Sequence, residues 1–460
     1  KHTMNDRKGF GSNFGFLMAA VGSAVGLGNI WGFPNKMGAN GGFPFLILYL
    51  ALALCCGVII MLGELALGRK TGHGAVGAYQ SISKRFKWLG WLGIAAAALI
   101  FSFYSALGGY CLRYVVVNFG NLIGAEFGTN GVGGADVFQG LLSQPDVSIA
   151  FALAFMLITM LVVMSGVGGG IERVCSVGMP ALFFILIICI IRSCTLPGAA
   201  DGLKYMFVPG WAVANGIIDE APGFWRVLTA AGGQMFFSLS LGAGVMDTVV
   251  ALMAGLCVIP GRFALDPSGD LGGPELLFIT MQNVFDKMGP AGPVFGILFY
   301  LLVFFAAISS SISMLEVIVA HFCDKAREKG KGDRRKLYSA IAVVICAALC
   351  ALVCADGMGS NHISPAELLG LAGAKLPGWS TSWLGLFDSV AEGLLMPLGA
   401  LLMCLMISWE LKPDALRQEI LLNGENRPWV YDFFRLCVKY ITPLCMLMIL
   451  YGQISDFFIV

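Results

Sequence analysis

The sequence predicts an all-α polytopic membrane protein, and its composition and the spacing of its apolar runs carry that prediction. Of its 460 residues, 57% are hydrophobic and only 12% are charged, against about 25% charged residues in a soluble domain. The apolar residues occur in runs long enough to cross a lipid bilayer, so we expect the chain to lie in a membrane. A formal net charge of +1 offers no basic surface, so no nucleic-acid partner is expected.

The apolar runs follow one another along the chain, and the charge of their connections sets their orientation. The runs lie at about 13–38, 43–68, 88–117, 147–165, 171–192, 226–264, 290–323, 337–355, 383–409 and 432–457. Lysine and arginine gather in the connections around 69–87, 325–336 and 412–427. Because basic connections face the cytoplasm, we expect the N-terminus to be cytoplasmic.

The run 226–264 does not fit a single span. It is much longer than the roughly 20 residues that one span needs, yet too short for two spans and a connecting loop. If it is counted as two spans, the basic cluster Lys325–Lys336 lies on the cytoplasmic side, as its charge requires. The sequence therefore predicts eleven transmembrane helices, with a loop missing near Val245–Met246.

The stretch Gly22–Gly42 predicts a break inside the first span. It carries repeated glycines and then Pro34, which cost about 1 and 3 kcal/mol each in a helix interior. Backbone freed from helical pairing at membrane depth needs partners from protein or from a water-lined cavity. We expect a break near Val25–Gly28 that turns carbonyls and amides toward a ligand. The alternative is that these glycines serve close helix packing.

A second interrupted stretch, Gly232–Gly244, lies five spans further along. Two interrupted spans in matching positions are typical of a transporter built from a 5+5 inverted repeat, with broken helices 1 and 6 and a site at the midplane. The repeats would cover 1–225 and 226–411, and 412–460 would hold a cytoplasmic loop and the last span. Glu64 is expected to accept bonds from the unwound backbone, or else to pair with Arg69 at the interface.

Four segments carry a specific resemblance: GSAVGLGNIWGFP, GELALGR, QMFFSLSLGAG and FFAAISSSISM. In this order they resemble the neurotransmitter:sodium symporter family, in its bacterial amino-acid-transporting branch with the leucine-transporter-like fold. The resemblance covers nearly the whole chain from Arg7 to Val460. It implies a sodium-coupled symporter that imports a neutral amino acid by alternating access, and not an enzyme.

The resemblance implies two sodium ions. Matching positions for the first are the Ala24 carbonyl, the Asn29 side chain, Ser238 and Asp247; those for the second are the Gly22, Val25 and Ala306 carbonyls with Ser309 and Ser310. The serines could instead serve small-residue packing. In the chloride-dependent branch an anion sits beside the first sodium, near positions matching Tyr49, Gln234, Ser238 and Ala251. Because the fixed carboxylate of Asp247 could neutralise the same cation, we expect transport without chloride.

The resemblance also assigns the substrate pocket. The backbone near Gly26 and Gly28 with the Tyr104 hydroxyl would bind the carboxylate, and the Ala24, Phe237 and Ser240 carbonyls would bind the ammonium group. The side chain would lie among Ile100, Phe237, Ala243 and Met314, with Ser23 and Ser310 nearby. Amine transporters carry an aspartate where this chain has Gly26, so a substrate with a free carboxylate is expected. The small Ala243 favours a hydrophobic or aromatic side chain.

Gate residues follow from the same resemblance. Arg7 and Asp324 match the inner ion pair, with Phe10 as an aromatic plug. Gly32 stands where the outer arginine is usual, while its partner Asp388 is kept, and Lys36 could reach that carboxylate. Gly170 and Pro180 match a motif that unwinds the fifth span, although they could mark one packing glycine and one kink.

The remaining features bear on location and on competing functions. Cysteines within apolar runs and the lack of any Asn-x-Ser/Thr sequence fit a bacterial inner membrane protein. A proton-coupled amino-acid exchanger of the same architecture stays open as an alternative, although it should lack the paired oxygen ligands of a sodium site. Four scattered histidines give no catalytic group, and the sequence leaves the oligomeric state open.

Overall fold

The structure is a computed structural model, and it is all helical in the part of the chain that it describes. The described residues are 25–129, 131–165, 170–239, 244–266, 273, 275–332, 334–371, 377–421 and 428–458. The predicted all-α class is confirmed, since no strand occurs in these ranges.

The helices of the first half follow the predicted apolar runs. The first, α1, is a wide π-helical turn over Gly28–Gly32 that continues as an α-helix over Phe33–Ala39. The next ones are α2 (Phe43–Thr71), α3 (Ala75–Ile82), α4 (Leu89–Ile123), α5 (Gly134–Leu142), α6 (Pro145–Ser165), α7 (Gly170–Cys194) and α8 (Ala199–Phe207).

The helices of the second half are equally regular. They are α9 (Phe224–Leu239), α10 (Gly244–Leu265), α11 (Leu276–Asp286), α12 (Gly292–Glu328), α13 (Arg335–Asp356), α14 (Trp383–Leu411) and α15 (Trp429–Phe457). Short helices at Trp211–Ala214, Pro365–Leu368 and Arg417–Ile420 lie in the connections.

Nine helices in the described ranges are long and apolar enough to cross a membrane. They are α2, α4, α6, α7, α10, α12, α13, α14 and α15. The two other predicted spans correspond to α1 and α9, which are shorter. The total of eleven transmembrane helices therefore stays a prediction, while the helical membrane-type fold is established.

Two described helices, α9 and α10, cover most of the apolar run 226–264, and residues 240–243 between them lie outside the described residues. Helix α9 has 16 residues, or about 24 Å, and its end lies beside Gly28 of α1. Helix α10 is described from Gly244 onward and meets the neighbouring Asn29 through Asp247. Val245 and Met246, where a missing loop is predicted, lie in the first turn of α10, because the helix already begins at Gly244.

Two long helices, α4 and α12, pack along each other through the bundle. Their aromatic side chains meet those of α11, with the Tyr114 and Tyr300 ring centroids 4.9 Å apart and the Tyr114 and Phe278 centroids 5.3 Å apart. The Asn118 amide donates to Gln282 Oε1 across the same contact at 3.0 Å. This packing fixes the two helices that carry Tyr104 and Ser310.

The bundle has two ends that differ in charge. One end, the basic face, carries the connections around 69–87 and 329–336. The other end, the acidic face, carries Asp201, Asp219 and Asp266. Helix α10 ends at the acidic face, because its Pro260 packs against Gly202 of α8. Helix α9 begins at the same face.

A tight turn holds α1 at the acidic face. Gly42 has a φ of +66°, and a Cβ there would lie 2.2 Å from the Tyr205 carbonyl oxygen, so the close approach requires glycine. The Tyr205 hydroxyl donates to the Gly38 carbonyl at 2.6 Å. Burial raises the pKa of Tyr205 to about 12, so it remains a neutral donor at physiological pH. This turn fixes where Lys36 points.

Candidate functional site

The described part of the first span begins with two residues outside any helix, at the predicted break. Val25 and Gly26 precede the first helical turn. Gly28 then lies against α9, because a Cβ there would be 3.0 Å from Phe237 Cδ1 and 3.2 Å from the Phe237 carbonyl oxygen. Gln234 Nε2 donates to the Gly28 carbonyl at 2.8 Å. Helices α1 and α9 are therefore in direct contact at this level; the site that the two stretches are expected to share stays a prediction.

A polar cluster of backbone and hydroxyl groups lies on the α4 and α12 side of this break. The Tyr104 hydroxyl accepts a hydrogen bond from the Leu27 N–H at 3.0 Å and also pairs with Ser310. A Cβ on Gly26 would lie 2.6 Å from both the Tyr104 and the Ser310 hydroxyl oxygens. The cluster thus joins N–H and O–H groups at the start of a helix, where an anionic group binds favourably.

A buried carboxylate lies next to this cluster. The Asn29 side-chain amide donates to Asp247 Oδ1 at 2.7 Å and to the Asp247 carbonyl at 2.8 Å. Both side chains are buried, and Asp247 Oδ2 has no hydrogen-bond partner among the described residues. No cation of the described residues pairs with Asp247 through a salt bridge. A hard cation such as Na⁺, which takes carboxylate and amide oxygens, fits this donor set.

The positions expected for a second sodium ion lie on α12 beside the break. Ala306, Ser309 and Ser310 are all buried, and the Ser309 hydroxyl donates to the Ala306 carbonyl at 2.8 Å. Ser310 borders Gly26, which directly follows Val25. The structure thus brings the described members of this predicted set to one level of the bundle.

Several predicted site residues lie outside the described residues. They are Arg7, Phe10, Gly22, Ser23, Ala24, Ser240 and Ala243, together with the side chain of Ser238. Their roles stay predictions.

A cavity of about 350 Å³ extends from the site toward the basic face. Ile100, Phe237 and Met314 line one end, as predicted for the substrate side chain. The rest of its wall is mostly apolar, with Glu64, His73 and Tyr79 as its ionisable side chains. A pocket of this size with few polar groups suits a small, mainly hydrophobic ligand.

Glu64 lies on the wall of that cavity and is not paired with Arg69. The Arg69 guanidinium donates to the Glu419 carbonyl at 2.9 Å instead. The expected bonds from unwound backbone to Glu64 involve stretches that are only partly described, so they stay a prediction.

On the acidic face, Lys36 forms an ion pair with Glu392. Its Nζ lies 2.7 Å from Glu392 Oε2 and 4.0 Å from Asp388 Oδ2. The same Nζ lies 5.9 Å from the centroid of the Phe237 ring, so the pair lies beside a predicted substrate-binding residue. Lys36 does approach Asp388, but its nearer partner is Glu392.

Sequence reasoning missed Glu392, although a signal was present. It is an acidic residue in the apolar run DSVAEGLLMPLG, four residues after Asp388, which places both carboxylates on one face of a helix. An ionisable residue at membrane depth needs a partner, and Lys36 provides it.

Gate residues toward the basic face are only partly described. Asp324 Oδ1 lies 3.9 Å from Arg327 Nη1, and the predicted partner Arg7 falls outside the described residues. Helix α7 begins at Gly170 and continues through Pro180 without a break. Unwinding of α7 therefore stays a prediction about another conformation.

In the described residues, the start of the first helix lies beside buried carboxylate and hydroxyl oxygens within a bundle of apolar helices, an arrangement typical of a secondary transporter. Comparison with known proteins gives the family. The family model described as the sodium:neurotransmitter symporter family matches residues 7–130, 135–254 and 266–364, and the chain belongs to that family.

Individual relatives agree over nearly the full length. An uncharacterized sodium-dependent transporter, YhdH from Bacillus subtilis, is 34% identical over 96% of this chain and 97% of its own length. Another, MJ1319 from Methanocaldococcus jannaschii, is 28% identical over 90% of this chain and 84% of its own. The crystal structure of MhsT in complex with L-phenylalanine superposes with a TM-score of 0.82 at 31% identity, covering 97% of this chain and 100% of that one.

Proposed function

We propose that the protein imports a neutral, hydrophobic or aromatic L-amino acid together with two sodium ions, by alternating access and without chloride. The observation that carries the proposal is the Asn29–Asp247 pair. A buried carboxylate beside the interrupted helix has a neutral amide as its partner, and one of its oxygens has no hydrogen bond among the described residues. A mobile cation supplies the missing charge.

The second ion and the substrate take the neighbouring groups. Ser309, Ser310 and the Val25 and Ala306 carbonyls are the ligands expected for the second sodium. The carboxylate of the amino acid binds at the Leu27 N–H and the Tyr104 hydroxyl, which now bond to each other at 3.0 Å. These groups are neutral donors that suit an anion at a helix start.

The substrate side chain extends into the cavity end formed by Ile100, Phe237 and Met314. No charged group lies among these three, so an ionised side chain would lose its hydration without a partner. The bound L-phenylalanine in the related MhsT structure supports a substrate of this class.

Chloride is not required in this proposal because Asp247 provides the negative charge that an anion would otherwise add beside the sodium. The zwitterionic substrate carries no net charge, so the sodium ions carry the current. Each elementary charge that crosses gains about 2.3 kcal/mol per 100 mV. The protein lies in the inner membrane of a bacterium with its basic face toward the cytoplasm, so this energy drives uptake into the cell.

The test is uptake into proteoliposomes of a panel of amino acids, with L-phenylalanine as the first. We expect uptake that requires an inward Na⁺ gradient and that ceases when K⁺ replaces Na⁺. Uptake driven by a proton gradient without Na⁺ would instead support the proton-coupled exchanger.

A pair of glycine variants locates the site. Gly26→Ala places a methyl group 2.6 Å from the Tyr104 and Ser310 oxygens, so we expect the substrate affinity to fall by about tenfold or more. Gly140→Ala on α5 is the control, because no heavy atom lies within 4 Å of its Cβ. Equal uptake kinetics in both variants would contradict the assigned carboxylate site.

A further inference from the structure

Three charged side chains, those of Lys36, Asp388 and Glu392, meet on the acidic face, and their charges do not sum to zero when all are ionised. Lys36 contributes one positive charge, while Asp388 and Glu392 contribute two negative charges when both are ionised. The side chain of Glu392 is only 2% exposed, against 18% for Lys36 and 30% for Asp388. One full negative charge in excess, held at membrane depth, is strongly unfavourable.

The contacts of Glu392 show where the imbalance lies. Its Oε2 accepts from Lys36 at 2.7 Å, while its Oε1 has no donor among the described residues. Asp388, one helical turn earlier, approaches the same Lys36 Nζ, with its Oδ2 at 4.0 Å. Two ionised carboxylates around one ammonium group repel each other, whereas a single proton on one of them removes the excess charge.

Among the described residues, the surrounding elements supply no other cation to Glu392. The charged groups that face Glu392 are Asp388 on its own helix and Lys36 on α1. On α9, the Arg226 guanidinium donates to the Ala39 carbonyl, and on α15, Asp456 accepts from Thr229. The polar neighbour from α15 is Gln453, which is neutral and lies beside Gly233 and Gly393.

We propose that Lys36, Asp388 and Glu392 form a proton-binding gate, in which the two carboxyl groups share one proton while the gate is closed and release it to the acidic face when the gate opens. Opening would separate Lys36 from Glu392 and admit water, so that each carboxylate is hydrated and ionised. The ligand of this site is a proton taken from the solution outside.

The sign of the pH dependence follows from the proton count. The closed state binds one more proton than the open state, so acidification favours closing and alkalinisation favours opening. The proton enters and leaves from the same side, so the gate responds to external pH without moving protons across the membrane. The link between substrate binding and proton uptake rests on the proposed function, because amino-acid binding is taken as the event that closes the gate.

The experiment is calorimetric titration of the purified protein with L-phenylalanine at saturating Na⁺, in two buffers of equal pH and different ionisation enthalpy. We expect the heats to differ by an amount that corresponds to uptake of up to about one proton per bound substrate. Saturating Na⁺ keeps the Asp247 centre filled, so that its ionisation does not contribute. In Glu392→Gln the difference between buffers should vanish.

The matched control is Glu316→Gln. Glu316 is also an acidic residue paired with a cation, Arg335 at 2.5 Å, but it lies toward the basic face, away from the gate. This variant should keep the buffer difference of the wild type. Binding heats that are independent of the buffer in the wild type would overturn the proton site while leaving the proposed transport function intact.

A second measurement needs no substrate. Infrared spectra of the protein at neutral pH should contain the C=O stretch of a protonated carboxyl group, and this band should weaken in both Glu392→Gln and Asp388→Asn relative to Glu316→Gln. An unchanged band in both gate variants would refute the shared proton. If no amino acid of the panel binds, the proposed function fails, and the infrared comparison still decides the proton site.

Discussion

Two buried carboxylates, Asp247 and Glu392, contact the same helix α1 and differ in their partners. Asp247 meets the neutral amide of Asn29 at 2.7 Å, whereas Glu392 meets the ammonium group of Lys36 at the same distance. Lys36 gives Glu392 a fixed cation and ties helix α1 to α14, although Asp388 shares that one cation. Asp247 has no cation partner among the described residues. We therefore expect the charge of Asp247 to be compensated by a bound cation, and that of Glu392 to be compensated within the protein.

The largest effect is expected at Asp247, where the comparison assigns a mobile cation. Asp247→Ala removes the only charged ligand expected for the first sodium, so we expect the Na⁺ affinity to fall by at least about 100-fold, or about 2.7 kcal/mol. The measurement is the Na⁺ dependence of amino-acid uptake or of substrate binding. An unchanged half-saturating Na⁺ concentration would place the ion elsewhere.

An intermediate effect is expected at Lys36. Lys36→Gln leaves the buried Glu392 without its cation, and truncating one member of a buried pair typically costs about 2–5 kcal/mol. Because this cost falls on the closed gate, we expect weaker substrate binding with an unchanged Na⁺ affinity. Uptake kinetics identical to those of the wild type would remove the lysine from the gate.

The double variant Lys36→Gln, Glu392→Gln tests whether the lysine acts through Glu392. The double variant leaves no charge on the buried residue 392, and the remaining carboxylate, Asp388, is 30% exposed and can be hydrated. The double variant should therefore recover much of the loss seen in Lys36→Gln. Additive losses would mean that the two side chains act independently.

The smallest effect is expected from chloride. Replacement of external chloride by gluconate should leave uptake by the wild type unchanged, since the Asp247 carboxylate is part of the chain. In Asp247→Asn the fixed charge is lost, and uptake should become sensitive to chloride. Loss of uptake by the wild type in gluconate would contradict the role of Asp247.

The helical fold and much of the site could be predicted from the sequence because both depend on local signals. Apolar runs mark α2, α4 and α12, and glycine beside polar residues marks the interruption at Val25–Gly26. Asn29 lies in one of the quoted motifs, whereas Asp247 is assigned only by the family resemblance. The structure joins the two across 218 positions of sequence. Such motifs are informative because backbone exposed at membrane depth tolerates few residue types.

The ion pair between Lys36 and Glu392 could not be predicted to the same degree, because it depends on tertiary geometry. Gly32 stands where an arginine is expected, and a Cβ at Gly32 would lie 3.0 Å from Gln234 Oε1 and 3.2 Å from Phe237 Cδ1. The space beside Gly32 is therefore taken by the Phe237 ring, and the cation moves one turn along α1 to Lys36. The choice between Asp388 and Glu392 as its partner depends on side-chain distances that spacing alone does not give.

The short joint between α9 and α10 has a mechanical consequence. Only residues 240–243 separate Leu239 from Gly244, so the two helix ends can part by no more than about 17 Å even if the joint is fully stretched. Phe237 lies just before the joint and Asp247 just after it, and each touches α1. Neither helix end can move further than this limit from the other, so a large displacement of Phe237 requires a displacement of Asp247 as well.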